Sequence, residues 1–240
     1  MKKFEANYEK KNNKKETLQN IKKNGLLKKI PDRYRGKEEE VLTIIRKNPW
    51  ALKVASQEMR ETREVALEAV KSNGQVLKCL PDKFKNDYEI VLEAVKQHHW
   101  ALNYASEELQ NNREIVLEAV KQSGLALNYV SPELQNDRKI VLAAVRNNGW
   151  ALNYASEELQ NDKEVVQVAL KEHGCVLYLA SEEIKNNKKI VLTAVKNGGT
   201  ALQFASKNLR NDEEIVKCAL KNNPRAINFA SKQLQNKLKR

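Results

Sequence analysis

The chain repeats itself every 25 residues, and this period restricts its fold more than any other feature. Aligned in blocks of 25, residues 31–230 form eight units without an insertion or a deletion, which we number as repeats 1 to 8. Repeats 4 and 5, residues 106–130 and 131–155, share the pattern Ser-x-Glu-Leu-Gln-Asn-x-Arg-x-Ile-Val-Leu-x-Ala-Val. A period of about 20–50 residues is typical of solenoids, because one such unit cannot bury its apolar face alone and must stack on its neighbours.

Each repeat contains the pattern of one amphipathic helix. Apolar residues recur at i and i+4, which places them on one face of a helix. In repeat 4 these residues are Ile115, Val116, Ala119 and Val120. An alanine recurs at the position of Ala119 in seven repeats. Because so small a side chain lets two helices approach closely, we expect a helix-to-helix contact at this alanine.

Both ends of the predicted helix are marked. An aspartate or asparagine precedes it, and such a side chain can accept a hydrogen bond from a first-turn N–H. These residues are Asp87, Asn112, Asp137, Asp162, Asn187 and Asp212. A glycine follows the helix in five repeats, at Gly74, Gly124, Gly149, Gly174 and Gly199. We expect it to adopt the left-handed conformation that is common just after a helix.

A shorter helix follows, for example at residues 150–155, where Ala151, Leu152 and Ala155 form the buried side. Ser156 then caps a single turn whose Leu159 points back to the core. The predicted fold is therefore all-α: a right-handed-type α-solenoid of eight 25-residue repeats, each with a longer and a shorter helix, and with degenerate end caps.

Three segments follow from the repeat boundaries and from the charge. Residues 1–30 form a basic segment with a degenerate capping unit, residues 31–230 form the solenoid, and residues 231–240 form a partial ninth unit with a basic tail. The first segment holds ten Lys/Arg and three acids, and the last holds four and none. The eight repeats hold 29 Lys/Arg and 28 acids, so nearly all of the net charge of +12 lies in the tails. A nucleic-acid groove along the repeats would need the opposite distribution.

One basic position recurs near the C-terminal end of every predicted helix. Its residues are Arg46, Lys71, Lys96, Lys121, Arg146, Lys171, Lys196 and Lys221. One interpretation is a stripe that follows phosphates. The other is a cation that the helix macrodipole favours, with Glu68, Glu93 and Glu118 three residues earlier as ion-pair partners.

No pattern of an active site occurs, so we predict that the chain is not an enzyme and has no catalytic residue, no cofactor and no metal. The three histidines are His98, His99 and His173. The first two lie three repeats from the third, too far to share one metal ion. The glycines are isolated helix stops rather than a phosphate-binding loop.

The remaining composition indicates where the protein resides. Cys79, Cys175 and Cys218 are scattered and odd in number, as in a reduced, cytosolic chain with small buried thiols. The chain has no apolar run of about 18 residues, so no membrane span is expected. The charged N-terminus has no apolar segment behind it, so no secretory signal is expected. We predict a cytoplasmic protein with no small-molecule substrate.

Aromatic and amide side chains recur on the shorter helix at positions outside its predicted buried side. The candidate partner-binding residues are Trp50, Trp100, Asn103, Tyr104, Asn128, Tyr129, Trp150, Asn153 and Tyr154. On a rigid array such side chains suit protein hot spots or the stacking of bases. Alternatively, the rings pack between repeats and the asparagines bond the backbone of the next repeat.

The repeats resemble the helical family called domain of unknown function 4116. The residues that carry the resemblance are 136–138 (Asn-Asp-Arg), 140–142 (Ile-Val-Leu), 144–145 (Ala-Val), 149–152 (Gly-Trp-Ala-Leu) and 154–159 (Tyr-Ala-Ser-Glu-Glu-Leu). The resemblance covers about 200 of the 240 residues. It implies an α-helical array and a role as an effector or host-contacting protein of intracellular bacteria, protists or giant viruses. It implies no catalytic residue.

Three functional hypotheses follow. The first is a non-enzymatic scaffold for an unidentified protein partner, in the cytoplasm or, for an exported effector, in the host cytosol. The second is a nucleic-acid-binding repeat protein that acts through its basic tails. The third is an accessory module of an enzyme whose catalytic residues lie on another chain.

Overall fold

A computed structural model describes residues 38–238, which form helices and turns and contain no β-strand. The predictions for residues 1–30 lie outside these described residues. Eight long α-helices of ten residues recur with the 25-residue period. They span Glu38–Lys47, Arg63–Ser72, Tyr88–Gln97, Arg113–Gln122, Arg138–Asn147, Lys163–Glu172, Lys188–Asn197 and Glu213–Asn222.

The shorter helix of each repeat is a six-residue 3-10 helix. These helices span Pro49–Val54, Gly74–Cys79, His99–Tyr104, Gly124–Tyr129, Gly149–Tyr154, Gly174–Leu179, Gly199–Phe204 and Pro224–Phe229. A short helical turn follows, at Gln57–Arg60, Asp82–Lys85, Glu107–Gln110, Pro132–Gln135, Glu157–Gln160, Glu182–Lys185, Leu209–Asn211 and Lys232–Leu238. The prediction of an all-α repeat solenoid is confirmed.

The long helix begins where its capping residue predicts. In repeat 5 the carboxylate of Asp137 accepts hydrogen bonds from the backbone N–H groups of Lys139, at 2.9 Å, and Ile140, at 3.1 Å. Ile140 and the predicted alanine Ala144 are fully buried. Because each buried apolar side chain contributes roughly 1–3 kcal/mol, this face holds the helix in place.

The glycine after the long helix has a different role from the predicted one. The residue that ends the helix in repeat 5 is Asn148, which is extended at φ −151° and donates its N–H to Ala144 O at 2.9 Å. Gly149 opens the 3-10 helix, and it is not in the left-handed region. A Cβ added to Gly149 would overlap the carbonyl oxygen of Ala169 in the next repeat. The glycine is needed for close approach between repeats, and the left-handed assignment is wrong.

The short turn also ties each repeat to the preceding one. Ser156 caps it as predicted, since its hydroxyl oxygen accepts the N–H of Leu159 at 3.3 Å. The same hydroxyl donates to Asn136 Oδ1 at 2.5 Å, and the backbone N–H of Ser156 donates to Gln135 O at 3.0 Å. Leu159 is buried, as predicted. One serine thus satisfies its own turn and joins two repeats.

The described residues divide into two compact units, 38–109 and 110–238. Within each unit the long helices of successive repeats pack on one another, and so do the 3-10 helices. Both layers supply the core. In the first unit Ile90 of a long helix and Leu77 of a 3-10 helix are fully buried, and in the second unit Ile140 and Leu152 are their counterparts.

Two adjacent glycines in repeat 7 test the close approach. A Cβ at Gly199 would overlap Ala219 O, so we expect Gly199→Ala to lower the free energy of unfolding by about 1–3 kcal/mol. Gly198 has an extended backbone, and its added Cβ would meet no atom closer than 3.6 Å. Gly198→Ala should therefore leave the stability unchanged or raise it by less than about 1 kcal/mol. Urea denaturation followed by circular dichroism compares the two, and equal shifts of the midpoint would contradict the packing role.

Candidate partner-binding face

The 3-10 helices carry all nine candidate residues. Trp50, Trp100, Asn103 and Tyr104 lie in the first unit, and Asn128, Tyr129, Trp150, Asn153 and Tyr154 lie in the second. The large rings of Trp100 and Trp150 are 43% and 39% exposed, and Tyr104 and Tyr129 are also exposed. Trp50, Asn103 and Tyr154 are partly buried, whereas Asn128 and Asn153 are exposed.

Four consecutive 3-10 helices of the second unit form a surface without charged residues. We call these residues, 124–129, 149–154, 174–179 and 199–204, the uncharged face. None of them is Asp, Glu, Lys or Arg, although 31% of the chain is charged. The face lies across four successive repeats, because each of these 3-10 helices packs on the next.

Aromatic rings from three successive repeats adjoin on the uncharged face. The ring centroid of Trp150 lies 6.1 Å from that of Tyr178, and the centroid of Tyr178 lies 5.8 Å from that of Phe204. Trp150 also lies 6.0 Å from the ring of His173. These tilted contacts are in the range of favourable aromatic pairs. The ring of Trp150 therefore packs between repeats, as the alternative prediction held, and it still exposes a substantial part of its surface.

Sequence reasoning missed two exposed residues of this face. Tyr178 is 42% exposed and occupies the position at which repeats 3, 4 and 5 have asparagine. Leu125 is 40% exposed and occupies the position of the tryptophans. The difference between repeats could have revealed them. At a position outside the predicted buried side, Tyr178 stands where other repeats have asparagine, and Leu125 stands where other repeats have tryptophan.

The asparagines of the face do not join the repeats. The side-chain amides of Asn128 and Asn153 make no hydrogen bond to any other residue in the described range 38–238. A different asparagine, Asn147, makes the inter-repeat bonds. Its Oδ1 accepts the N–H of Gly124 at 2.7 Å, and its Nδ2 donates to Lys121 O at 3.0 Å. The suggested backbone bond therefore exists, but at another position.

In the first unit, the ring of Trp50 lies beside two ammonium groups. The Nζ atoms of Lys53 and Lys78 lie 4.8 Å and 5.1 Å from its centroid. Both distances are within the range of cation–π attraction. Lys53 and Lys78 occupy the position of the asparagines. Repeats 1 and 2 thus differ from the uncharged face at the same position of the repeat.

The two histidines of the first unit, His98 and His99, contact each other where the long helix ends and the 3-10 helix begins. His98 accepts the backbone N–H of Trp100 at its Nδ1, at 3.2 Å, and its ring stacks on that of His99 at 5.0 Å. Burial lowers the pKa of His99 below its usual value, and the neighbouring His98 lowers it further. His98 thus caps the 3-10 helix at the corner between two helices.

Metal and disulfide chemistry find no support in residues 38–238. That range contains no group of three or more His, Cys, Asp or Glu side chains that could hold a metal ion. Its three cysteines are free thiols that are partly buried, rather than fully buried as predicted. In the same range no helix has the length and apolar character needed to cross a membrane.

A ladder of ion pairs joins successive repeats, and sequence reasoning missed it. The first residue of a long helix binds the capping aspartate of the next repeat. The pairs are Arg63–Asp87 at 2.8 Å, Arg113–Asp137 at 2.7 Å, Arg138–Asp162 at 3.2 Å and Lys188–Asp212 at 2.8 Å. The hydrogen bond from Arg113 holds the pKa of Asp137 below its usual value. Lys217 and Lys237 lower the pKa of Glu213 to about 2.

At two places the recurring basic position near the helix ends forms the predicted ion pair with the glutamate three residues earlier. Lys96 binds Glu93 at 2.7 Å, and Lys121 contacts Glu118 at 3.8 Å, each three residues earlier. Arg46 instead binds Glu68 of the next repeat at 2.7 Å.

Repeated long helices, 3-10 helices and short turns define this chain as an all-α helical-repeat protein. The family described as Domain of unknown function (DUF4116) matches residues 37–85, 62–110, 87–135, 137–185 and 187–235. The chain belongs to this family, as its resemblance indicated. Each match spans about two repeats, and four of the five begin at the capping residue of a long helix. Neither a curated protein nor a solved structure matches the chain significantly.

Acid should weaken the ladder. The pKa of Asp137 is lower in the folded chain than in the unfolded chain. Its contribution to the free energy of unfolding is therefore present above a pH of about 4 and is lost as the pH falls through the folded pKa. Asp137→Asn keeps a capping oxygen but removes the charge. We expect it to cost about 0.3–1 kcal/mol at pH 7 and to make stability fall less steeply below pH 4.

The natural asparagine of repeat 7 provides the matched control. Asn187 caps its helix as Asp137 does, and the preceding repeat supplies Lys163 at the position of Arg113. Asn187→Asp should therefore steepen the acid dependence. Urea midpoints measured from pH 7 to pH 2 test both variants, and unchanged slopes would show that the ladder contributes nothing to stability.

Proposed function

We propose that the protein is a non-enzymatic scaffold that binds a protein partner through the uncharged face. The observation that supports this function most directly is the exposure of four large side chains on the uncharged face: Leu125, Tyr129, Trp150 and Tyr178. Exposed apolar surface such as the adjoining rings of Trp150 and Tyr178 favours an interaction site on a chain of this charge, because water solvates it poorly.

The fold itself does not require these side chains. At the position of Trp150, repeats 2 and 7 have Gln75 and Thr200, and both repeats keep the same 3-10 helix. Tryptophan and tyrosine are enriched at the centres of protein interfaces, because they bury a large area and lose few rotamers. Their presence at positions where other repeats have polar residues favours binding over packing as their role.

Nucleic-acid binding is the alternative function. The chain is basic, but the uncharged face offers no lysine or arginine to neutralise a phosphate. Binding through the tails would be non-specific and strongly dependent on salt. The balance of charge on the repeats thus favours the protein partner.

The family also suggests a setting for this activity. The resemblance of the chain to repeat proteins of intracellular bacteria, protists and giant viruses fits an effector that contacts a host protein. The site of action would then be the cytoplasm or, after export, the host cytosol. No small-molecule substrate or cofactor is part of the proposal.

Partner capture by the full-length chain tests the proposed function. The tagged protein is cross-linked in cell lysate with and without nuclease, and captured proteins are identified by mass spectrometry. We expect a specific partner that survives nuclease treatment. With the purified partner, Trp150→Ala should weaken binding by about 1 kcal/mol or more, since it removes an exposed anchor.

The matched control is Lys139→Ala, which removes an exposed side chain from the long helix of the same repeat. It should bind as the unmodified chain does. Capture that nuclease abolishes would favour the nucleic-acid alternative. Equal binding by the Trp150→Ala variant would place the interface elsewhere.

A further inference from the structure

We infer that the uncharged face binds an extended, uncharged peptide segment of its partner, with the side-chain amides of Asn128 and Asn153 bonded to the peptide main chain. This inference rests on the proposed function and specifies the chemistry of the partner. Three features of the second unit support it: exposed amides, adjoining rings and the absence of charge.

The amides supply the right hydrogen-bonding groups. A side-chain amide offers two N–H donors and a carbonyl acceptor, so it can bond both the C=O and the N–H of a peptide main chain. Asn128 and Asn153 stand at the same position of successive repeats, and both are exposed. Their amides have no hydrogen-bond partner within residues 38–238, which leaves all three groups available to a ligand.

The rings lie where the peptide side chains would go. Trp150 precedes Asn153 by three residues in the same 3-10 helix, and its ring adjoins that of Tyr178 in the next repeat. In the preceding repeat, Leu125 stands at the position of Trp150 and is 40% exposed. An extended chain directs alternate side chains to opposite sides, so some of its side chains can pack on these rings while its main chain faces the amides.

The charge of the face selects the kind of segment. Burying a charged group of a ligand without an opposite charge is costly. The uncharged face has no such partner to offer in any of its four 3-10 helices. A segment of apolar and neutral polar residues therefore fits it, and a phosphate backbone does not.

The length of the segment follows from the spacing of the repeats. Packed helices lie about 8–10 Å apart, and an extended chain advances about 3.3 Å per residue. One repeat therefore corresponds to about three residues of the ligand. The four repeats of the uncharged face would accommodate a segment of roughly eight to twelve residues.

A display library of random twelve-residue peptides, selected on the full-length chain, tests the inference. We expect the recovered peptides to be depleted of Asp, Glu, Lys and Arg. Binding of a recovered peptide is then measured by fluorescence anisotropy. Asn128→Ala and Asn153→Ala should each weaken it by about tenfold, and N-methylation of one or more central peptide bonds should do the same, because it removes a main-chain donor.

The control is Asn197→Ala, an exposed asparagine whose amide bonds Thr193 O in its own helix, outside the uncharged face. It should leave the peptide affinity unchanged. Circular dichroism verifies that all three variants fold. Peptides that tolerate N-methylation and both asparagine substitutions would overturn the inference.

Two further outcomes separate the inference from the proposed function. If no peptide is recovered but a captured protein partner still depends on Trp150, the scaffold function stands and the partner binds by a folded surface. If single-stranded RNA of random sequence binds instead, and Trp150→Ala abolishes that binding, both the inference and the proposed function fail.

Discussion

The close approach of two backbones sets the spacing in the five repeats whose 3-10 helix begins with glycine. This glycine lies against the alanine carbonyl of the next long helix, as Gly149 lies against Ala169. Neither position leaves room for a larger side chain, because the alanine is fully buried and a Cβ on the glycine would overlap the carbonyl. The inter-repeat hydrogen bonds and ion pairs are short-range and depend on this separation. Packing therefore determines the distance between successive repeats, and polar contacts fix their register.

The same geometry separates the residues that build the repeat from those that are open to selection for binding. Buried apolar residues, capping residues and the close-packed glycine form the structural set. The exposed positions of the 3-10 helix lie outside it, and they vary from lysine in repeats 1 and 2 to asparagine and tyrosine in repeats 3 to 6. One scaffold can thus present a different surface on each unit without any change in its core.

Most of the fold could be predicted from the sequence, because a strict period repeats each main local signal in at least five of the eight repeats. The buried face of the long helix, the capping aspartate and the serine turn with Leu159 were all correct. The role predicted for Gly149 was wrong. Both a close contact with the next repeat and a left-handed turn favour glycine, so the sequence alone does not distinguish them. The Arg113–Asp137 pair was missed because its residues lie 24 positions apart and Asp137 already had a local explanation as a helix cap. Exposure of Tyr178 could not be derived from spacing alone, because its ring both packs on a neighbour and faces solvent.

The inter-repeat bonds also explain how such a chain can evolve in length. They join residues about one repeat apart, from Ser156–Asn136 to Asn147–Lys121, at separations of 20 to 26 positions. A single inserted residue would shift all the bonds that span it, whereas a complete added repeat would reproduce them unchanged. Duplication or deletion of whole repeats can therefore change the length of the array without breaking these bonds, whereas a small insertion or deletion would break them. The eight units of residues 31–230, which contain no gap, fit this constraint.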